Sequence, residues 1–194
     1  LAELEPDGGD TIQDIVSLVE SCSATDDNVF SATPPTTELA GMIWGDELAR
    51  ATGDNRYANL VVRIADRYIP AAPGKAPIPS DPDFRTEDMF MNGAMLGRAF
   101  AITGDHRYAD ILTKFLLDAN IQQENGLFWH CRSAPYHWGR GNGFAVMGFT
   151  EALTYLPEDN SARSKLLAIY RLHLHSLIQL QCSSGMFRQV LDVP

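Results

Sequence analysis

Basic side chains are scarce in this sequence. Fifteen Lys and Arg stand against 25 Asp and Glu, a formal charge of -10, and nowhere do the basic residues form a run. Such a surface repels a phosphate backbone at long range, which argues against nucleic acid as a partner. Long apolar stretches are missing as well: none approaches the roughly 20 residues of a membrane span. The opening LAELEPDGGD has neither the basic nor the apolar segment of a signal peptide. No membrane partner is therefore expected, and a cytoplasmic and a secreted location both stay open. Only three cysteines occur, Cys22, Cys131 and Cys182, far apart and without CxxC or Cys/His ligand spacing. They read as core or incidental thiols, and no metal site is expected. There is no G-x-S-x-G elbow, and the only GxG pattern, Gly139 to Gly143, precedes no βαβ unit. An initiating Met is absent, from which the chain is expected to be a processed protein or a piece of a longer one. At 194 residues it has room for one good core.

What the chain does have is helical pattern. The stretch RTEDMFMNGAML, from Arg85 to Leu96, places Glu87 and Asp88 where a helix apolar on every side begins, and such a helix is normally buried between other elements. The acids then stand at the mouth of something interior. The plainer alternative is that Thr86 caps the helix while the acids decorate its first turn.

A repeat organises the rest. ATGDNRYANLV from Ala51 recurs as ITGDHRYADIL from Ile102, a shift of 51 residues. The apolar stripe Tyr57, Leu60, Val61, Ile64, Ala65 and Tyr68 maps onto Tyr108, Ile111, Leu112, Phe115, Leu116 and Ala119, the spacing of one helix face. A fainter third copy runs through GNGFAVMGFTEALTYL and ARSKLLAIYRLHLHSLIQLQ, and the exits NGLFWH and SGMFRQ match. Each unit is a helical hairpin whose first helix is apolar all round and whose second is amphipathic, as the inner and outer layers of an α/α assembly require. Inner helices are expected near 36 to 52, 86 to 103 and 141 to 156, with almost no strand. A cap at Thr36 or Thr37 should open the first of them and Gly53 should close it. Residues 21 to 37, rich in Ser, Asp and Pro, read as a loop, and AAPGKAPIPSDPDF as an extended segment along a rim. Under the repeat, Thr37 and Asn142 stand where Asp88 does, so inner helices begin on a polar rim.

Two further stretches could carry chemistry. YHWGRGNGF, from Tyr136, surrounds Arg140 and Asn142 with three glycines, which would let the backbone turn sharply and a ligand approach closely. Arg140 has the planar fork that suits a carboxylate, although an exposed Arg at a glycine-rich helix start needs no ligand. His130 closes GLFWHC beside Trp129, and aromatic walls with a few polar groups are the makings of a sugar cleft; a surface histidine is the alternative. His173 and His175, two apart on a helix, point to different faces and cannot pair on a metal. His106 begins an outer helix as a surface group.

EDMFMNGAMLGRAFAITGDHRYAD, GLFWH, WGRGNGFAVMG and SGMFRQVLD, in this order, resemble the unsaturated glucuronyl and rhamnogalacturonyl hydrolases, most closely glycoside hydrolase family 105. The resemblance covers about Thr36 to the end. It implies an all-α, (α/α)6-toroid fold and a pocket for the Δ4,5-unsaturated uronic acid that lyases leave on pectin-derived oligosaccharides such as those of rhamnogalacturonan. It also implies a mechanism: an acid at an inner-helix start protonates C4 of the vinyl ether, water adds at C5, and the hemiketal opens to release the aglycone, without metal or organic cofactor. By resemblance the acid is Asp88, with Glu87 one register away, and the binding residues are His130, Arg140, Asn142, Phe144 and Trp138.

The sequence departs from that family in three respects. Phe144 replaces a usual tryptophan; Thr36, Thr37 and Glu38 stand where many members have a second acid; and six hairpins would need more than this chain holds. The expectation is one toroid domain over 1–194, truncated to about three hairpins and a leading helix, with exposed edges through which it self-associates. Two other functions fit an all-helical repeat. One is a glycosidase with two carboxylates, for which the sequence offers no partner acid beyond Glu87; the other is a non-catalytic helical scaffold.

Overall fold

The computed structural model describes residues 9–23 and 34–193. Among these described residues eight α-helices follow in order: α1 (Gly9–Ser23), α2 (Thr36–Leu39), α3 (Gly45–Thr52), α4 (Asn55–Ala65), α5 (Thr86–Thr103), α6 (His106–Ala119), α7 (Gly139–Tyr155) and α8 (Arg163–Leu180), with a 3-10 turn at Ala40–Met42. Among the described residues strand pairing is limited to isolated bridges. The pairs α3/α4, α5/α6 and α7/α8 are the three hairpins, and α5 lies at the centre, against α4, α6 and α7.

The first inner helix is not continuous. Glycine weakens a helix interior, and Gly41 and Gly45 bracket the break between α2 and α3. Gly45 also sits so close to α4 that a Cβ there would lie 2.6 Å from the Val61 side chain. Thr36 is not a side-chain cap; Pro35 occupies that position, and the Thr36 hydroxyl donates to the Pro79 carbonyl at 3.2 Å. The third inner helix starts at Gly139, two residues before its expected start. Of the loop expected over 21 to 37, the middle lies outside the described residues, and both its ends are helical.

The repeat holds atom by atom. Gly53 and Gly104 end their helices with φ of 73° and 69°, the left-handed cap that glycine adopts without strain. Asp54 and Asp105 accept from the backbone N–H of Arg56 and Arg107 at 2.9 Å, and each takes its arginine's Nε at 2.8 Å. The exit turns match too. Gln122 Nε2 donates to the Gly126 carbonyl at 3.0 Å and Gln181 Nε2 to that of Gly185 at 2.8 Å, with both glycines at positive φ.

Glycines also set the distance between inner helices. A Cβ on Gly148 of α7 would stand 2.4 Å from the Met89 carbonyl carbon, one on Gly93 2.9 Å from the Gly148 oxygen, and one on Gly97 2.8 Å from the Tyr155 ring. Backbones in α5 and α7 therefore touch. Towards the other end of α5, Arg98 joins Glu47 of α3 at 2.9 Å and Glu151 of α7 at 2.6 Å. The core fills the space between layers with Phe84, Phe115, Met89, Leu96, Leu112, Phe149 and Leu166. On α7 and α8, Met147, Leu172 and Ile178 are exposed. No helix among the described residues is long and apolar enough to cross a membrane.

Replacing Gly148 by Ala should cost about 1 to 3 kcal/mol in chemical denaturation, because the new methyl meets backbone that cannot yield. Gly143→Ala, with nothing within 4 Å of the added carbon, should be neutral or gain up to about 1 kcal/mol through helix propensity. Equal midpoints for the two variants would mean that the α5/α7 approach is looser than described.

Candidate active site

Helix α5 begins at a point held from two directions. Arg85 is extended at its N-cap, and Thr86, wholly buried, donates its backbone N–H to the His130 carbonyl at 3.0 Å. Successive side chains on a helix diverge by about 100°, so the two acids part here. Asp88 turns inward and is 5 % exposed. Its Oδ2 accepts from the Asp81 N–H at 2.8 Å, beneath the proline-rich segment. Burial pushes its carboxyl up to about 6, while the Asp81 N–H pulls the other way. Glu87 turns to the rim. Both its oxygens lie 3.2 Å from His130 Nε2, and the Thr86 hydroxyl donates to Oε2 at 3.2 Å.

The loop between α6 and α7 delivers His130. It folds back on itself through the Gln122 to Phe128 and Cys131 to Ala134 bridges and through the His130 N–H to the Tyr136 carbonyl at 3.0 Å. The Tyr136 hydroxyl lies 3.4 Å from His130 Nδ1, and Trp138 meets the imidazole edge-on at 5.1 Å between centroids. Trp138 is the N-cap of α7, and the exposed Arg140 guanidinium stands 4.2 Å over its indole ring. Glu87, His130, Trp138 and Arg140 thus form one contiguous set. One turn further along their helices, Phe90 and Phe144 face each other at 6.1 Å and extend it with an apolar wall.

Asn142 stands apart from that set. It is fully buried, with its amide bonded to the Phe128 N–H and carbonyl and to the Trp138 carbonyl. The glycines around Arg140 differ from expectation as well: they make no sharp turn, being the first residues of α7. A Cβ on Gly139 would lie 2.3 Å from the Arg188 carbonyl oxygen and one on Gly141 2.8 Å from the Thr86 hydroxyl, so both make room for protein; Gly143 alone of the three faces open space. His173 and His175 do part, one buried and one exposed.

Three groups escaped the sequence reading. Asp81 lies seven residues before Asp88 in a loop and reaches it only through the fold of that loop. Tyr136 and His137 lie inside the quoted YHWGRGNGF, where an aromatic and a second imidazole beside the glycine run were the available signal. His137 is buried, with Nδ1 2.8 Å from Asp192 of the C-terminal segment. A hollow of about 300 Å³ opens elsewhere, between α4 and α6 beside Tyr68, Tyr108 and Lys114. It touches none of the convergent groups. Among the described residues no three His, Cys, Asp or Glu side chains gather as a metal ion would need.

The family model described as Glycosyl Hydrolase Family 88 matches residues 86–194. An unsaturated 3S-rhamnoglycuronyl hydrolase from Alteromonas sp. (strain LOR) is 25% identical over 91 residues, 45% of this chain and 20% of that protein. Among solved structures, a glycosyl hydrolase family 88 protein from Bacteroides vulgatus superposes with TM-score 0.78 at 16% identity, over 100% of this chain and 61% of that one. A possible member of the GH105 family from Klebsiella pneumoniae subsp. pneumoniae MGH 78578 gives 0.76 at 19% identity, over 98% and 54%. These two share the fold, an α/α toroid of which this chain is a part. The chain spans less than two thirds of each of these relatives.

The opposed settings of the two acids have a measurable consequence. Asp88 has a folded pKa above its unfolded one, so its contribution to stability is complete below about pH 4 and is lost as pH rises through 6. Asp88→Asn should therefore be more stable than the parent at pH 8, by on the order of 3 kcal/mol, with the gap closing near pH 4. Thermal melts across that range would show it, and a variant weakest at pH 8 would overturn the burial argument.

Proposed function

Because the chain belongs to Glycosyl Hydrolase Family 88, we propose that it carries the catalytic rim of a hydrolase for oligosaccharides ending in a Δ4,5-unsaturated uronic acid. The convergence of Glu87, His130, Trp138 and Arg140 supports this reading. A carboxyl group, an imidazole, an aromatic face and an unshielded guanidinium are the groups that a small anionic enol ether calls for. The Alteromonas relative, named for an unsaturated rhamnoglycuronyl substrate, supports the same class, and pectin or rhamnogalacturonan fragments are a source of it.

Arg140 is the partner for the substrate carboxylate, with its stacked position on Trp138 leaving the fork free. Protonation of C4 then moves the double-bond electrons to form the C4–H bond and leaves the positive charge shared between C5 and the ring oxygen. Water adds at C5 and gives its proton to the carboxylate that supplied the first, and the hemiketal opens with loss of the aglycone. We assign the acid and base to Glu87 in preference to Asp88. Glu87 meets His130 on the rim, whereas Asp88 is roofed by the Asp81 backbone. His130 Nε2 orients the Glu87 carboxylate, and Phe144 with Phe90 walls the sugar.

On unsaturated uronyl oligosaccharides the intact protein should erase the ultraviolet absorbance of the double bond and leave saturated glycosides untouched. Glu87→Gln should lower kcat by about 100- to 10,000-fold, the range of general acid–base catalysis, and Asp88→Asn should keep most of the activity. Arg140→Ala should raise KM by roughly ten- to a hundredfold, as expected for a charged hydrogen bond of about 1.5 to 3 kcal/mol. A dead Asp88→Asn with an active Glu87→Gln would transfer the acid's role to Asp88, and cleavage of saturated glycosides would favour the two-carboxylate mechanism.

A further inference from the structure

Asn142 and His173 form a buried polar pair that the proposed chemistry does not use. Asn142 Nδ2 faces two carbonyls, of Phe128 and of Trp138, each at 3.0 Å, and Oδ1 accepts from the Phe128 N–H at 2.9 Å. Rotating the amide would set oxygen against two oxygens, so its orientation is fixed. The remaining lone pair of Oδ1 meets His173 Nε2 at 3.0 Å. An oxygen that only accepts requires the hydrogen on Nε2. His173 has no exposed surface, Phe128 lies edge-on to its ring at 4.7 Å, and Nδ1 has no partner. Burial pushes its pKa down to about 4, which keeps the ring neutral.

The amide therefore grips two segments at once. Phe128 is two residues before His130, and Trp138 carries Arg140 over its ring. We propose that His173 is a positioning residue: from outer helix α8 it locks the Asn142 amide, which in turn holds the His130 loop and the start of α7 at the register where His130 meets Glu87. This inference rests on the functional reading above only for its kinetic consequence. The geometry predicts a specific rescue, because glutamine places an N–H at nearly the reach of imidazole Nε2, whereas leucine fills similar space with no donor.

The test has two arms in the intact protein. By nitrogen-15 NMR at neutral pH, His173 should appear as the Nε2–H tautomer, and the His130 and Trp138 side-chain resonances should move in His173→Leu and return in His173→Gln. With unsaturated uronyl disaccharide as the probe, His173→Leu should lower kcat by about tenfold through misplacement of the rim, and be restored by His173→Gln. An Nδ1–H tautomer in the parent protein would overturn the proposal. So would a leucine variant that melts lower yet keeps the parental kcat and His130 resonance, since that is a structural role alone. If His173→Leu does not fold, the parental tautomer and the resonances of the glutamine variant still decide. If the parent does not act on the disaccharide, the functional reading fails while the NMR arm stands.

Discussion

Contact between the backbones of α5 and α7 is the constraint on which the rest of this structure depends. Gly93 and Gly148 let the two inner helices close until a single methyl would collide with main chain, and Gly97 makes room for the Tyr155 ring. At that separation the starts of both helices stand side by side, and what their first turns carry must converge. Any larger residue at Gly148 would wedge the helices apart, and the chemistry at their N-termini would separate with them. The same close approach recurs at Gly141, where the missing Cβ leaves room for the Thr86 hydroxyl that reaches Glu87.

Adjacent acids on one helix have been given opposite surroundings. Asp88 lies under the proline-rich segment and accepts a main-chain N–H from it, and desolvation outweighs that bond, so its proton is held more tightly than usual. Glu87 has an imidazole and a hydroxyl as neighbours at the rim. The helix turn of about 100° per residue does the sorting, and the loops on either side supply the contrast in polarity. A rim built in this way needs little motion to present a carboxylate, because its partners are already held by main-chain bonds such as Thr86 N–H to the His130 carbonyl.

The loop that brings His130 has no sheet or long helix to steady it. Its order comes from single contacts: the buried Asn142 amide, the Gln122 side chain across its turn, and the bridge from Cys131 to Ala134. Each satisfies backbone polar groups that would otherwise be buried without partners, which is costly in a dry interior. The C-terminal segment works in the same manner. It crosses the start of α7 through Gly139 N–H to the Gln189 carbonyl at 2.7 Å, with His137 and Asp192 paired beside it.

The sequence by itself determined the helical hairpins, their two layers and their turns, because these depend on interactions a few residues apart. The stripe from Tyr57 to Tyr68, the Thr-Gly-Asp-x-Arg-Tyr caps and the Gly126 and Gly185 exits are local, and all appear where the repeat puts them. The break after Met42 was not legible, since it depends on how closely Gly45 must approach Val61. Glu87, Asp88, His130 and Arg140 could be named from their neighbours in the chain, but which acid faces outward could not. That depends on Asp81 folding over one side of α5 and on the loop from Ile121 to Trp138 folding over the other. Likewise the glycines flanking Arg140 looked like room for a ligand, and only the fold showed Arg188 and Thr86 filling it at 139 and 141. Period and turn chemistry are short-range and survive in sequence; the partner of a side chain is chosen by segments dozens of residues away, and only packing brings them together.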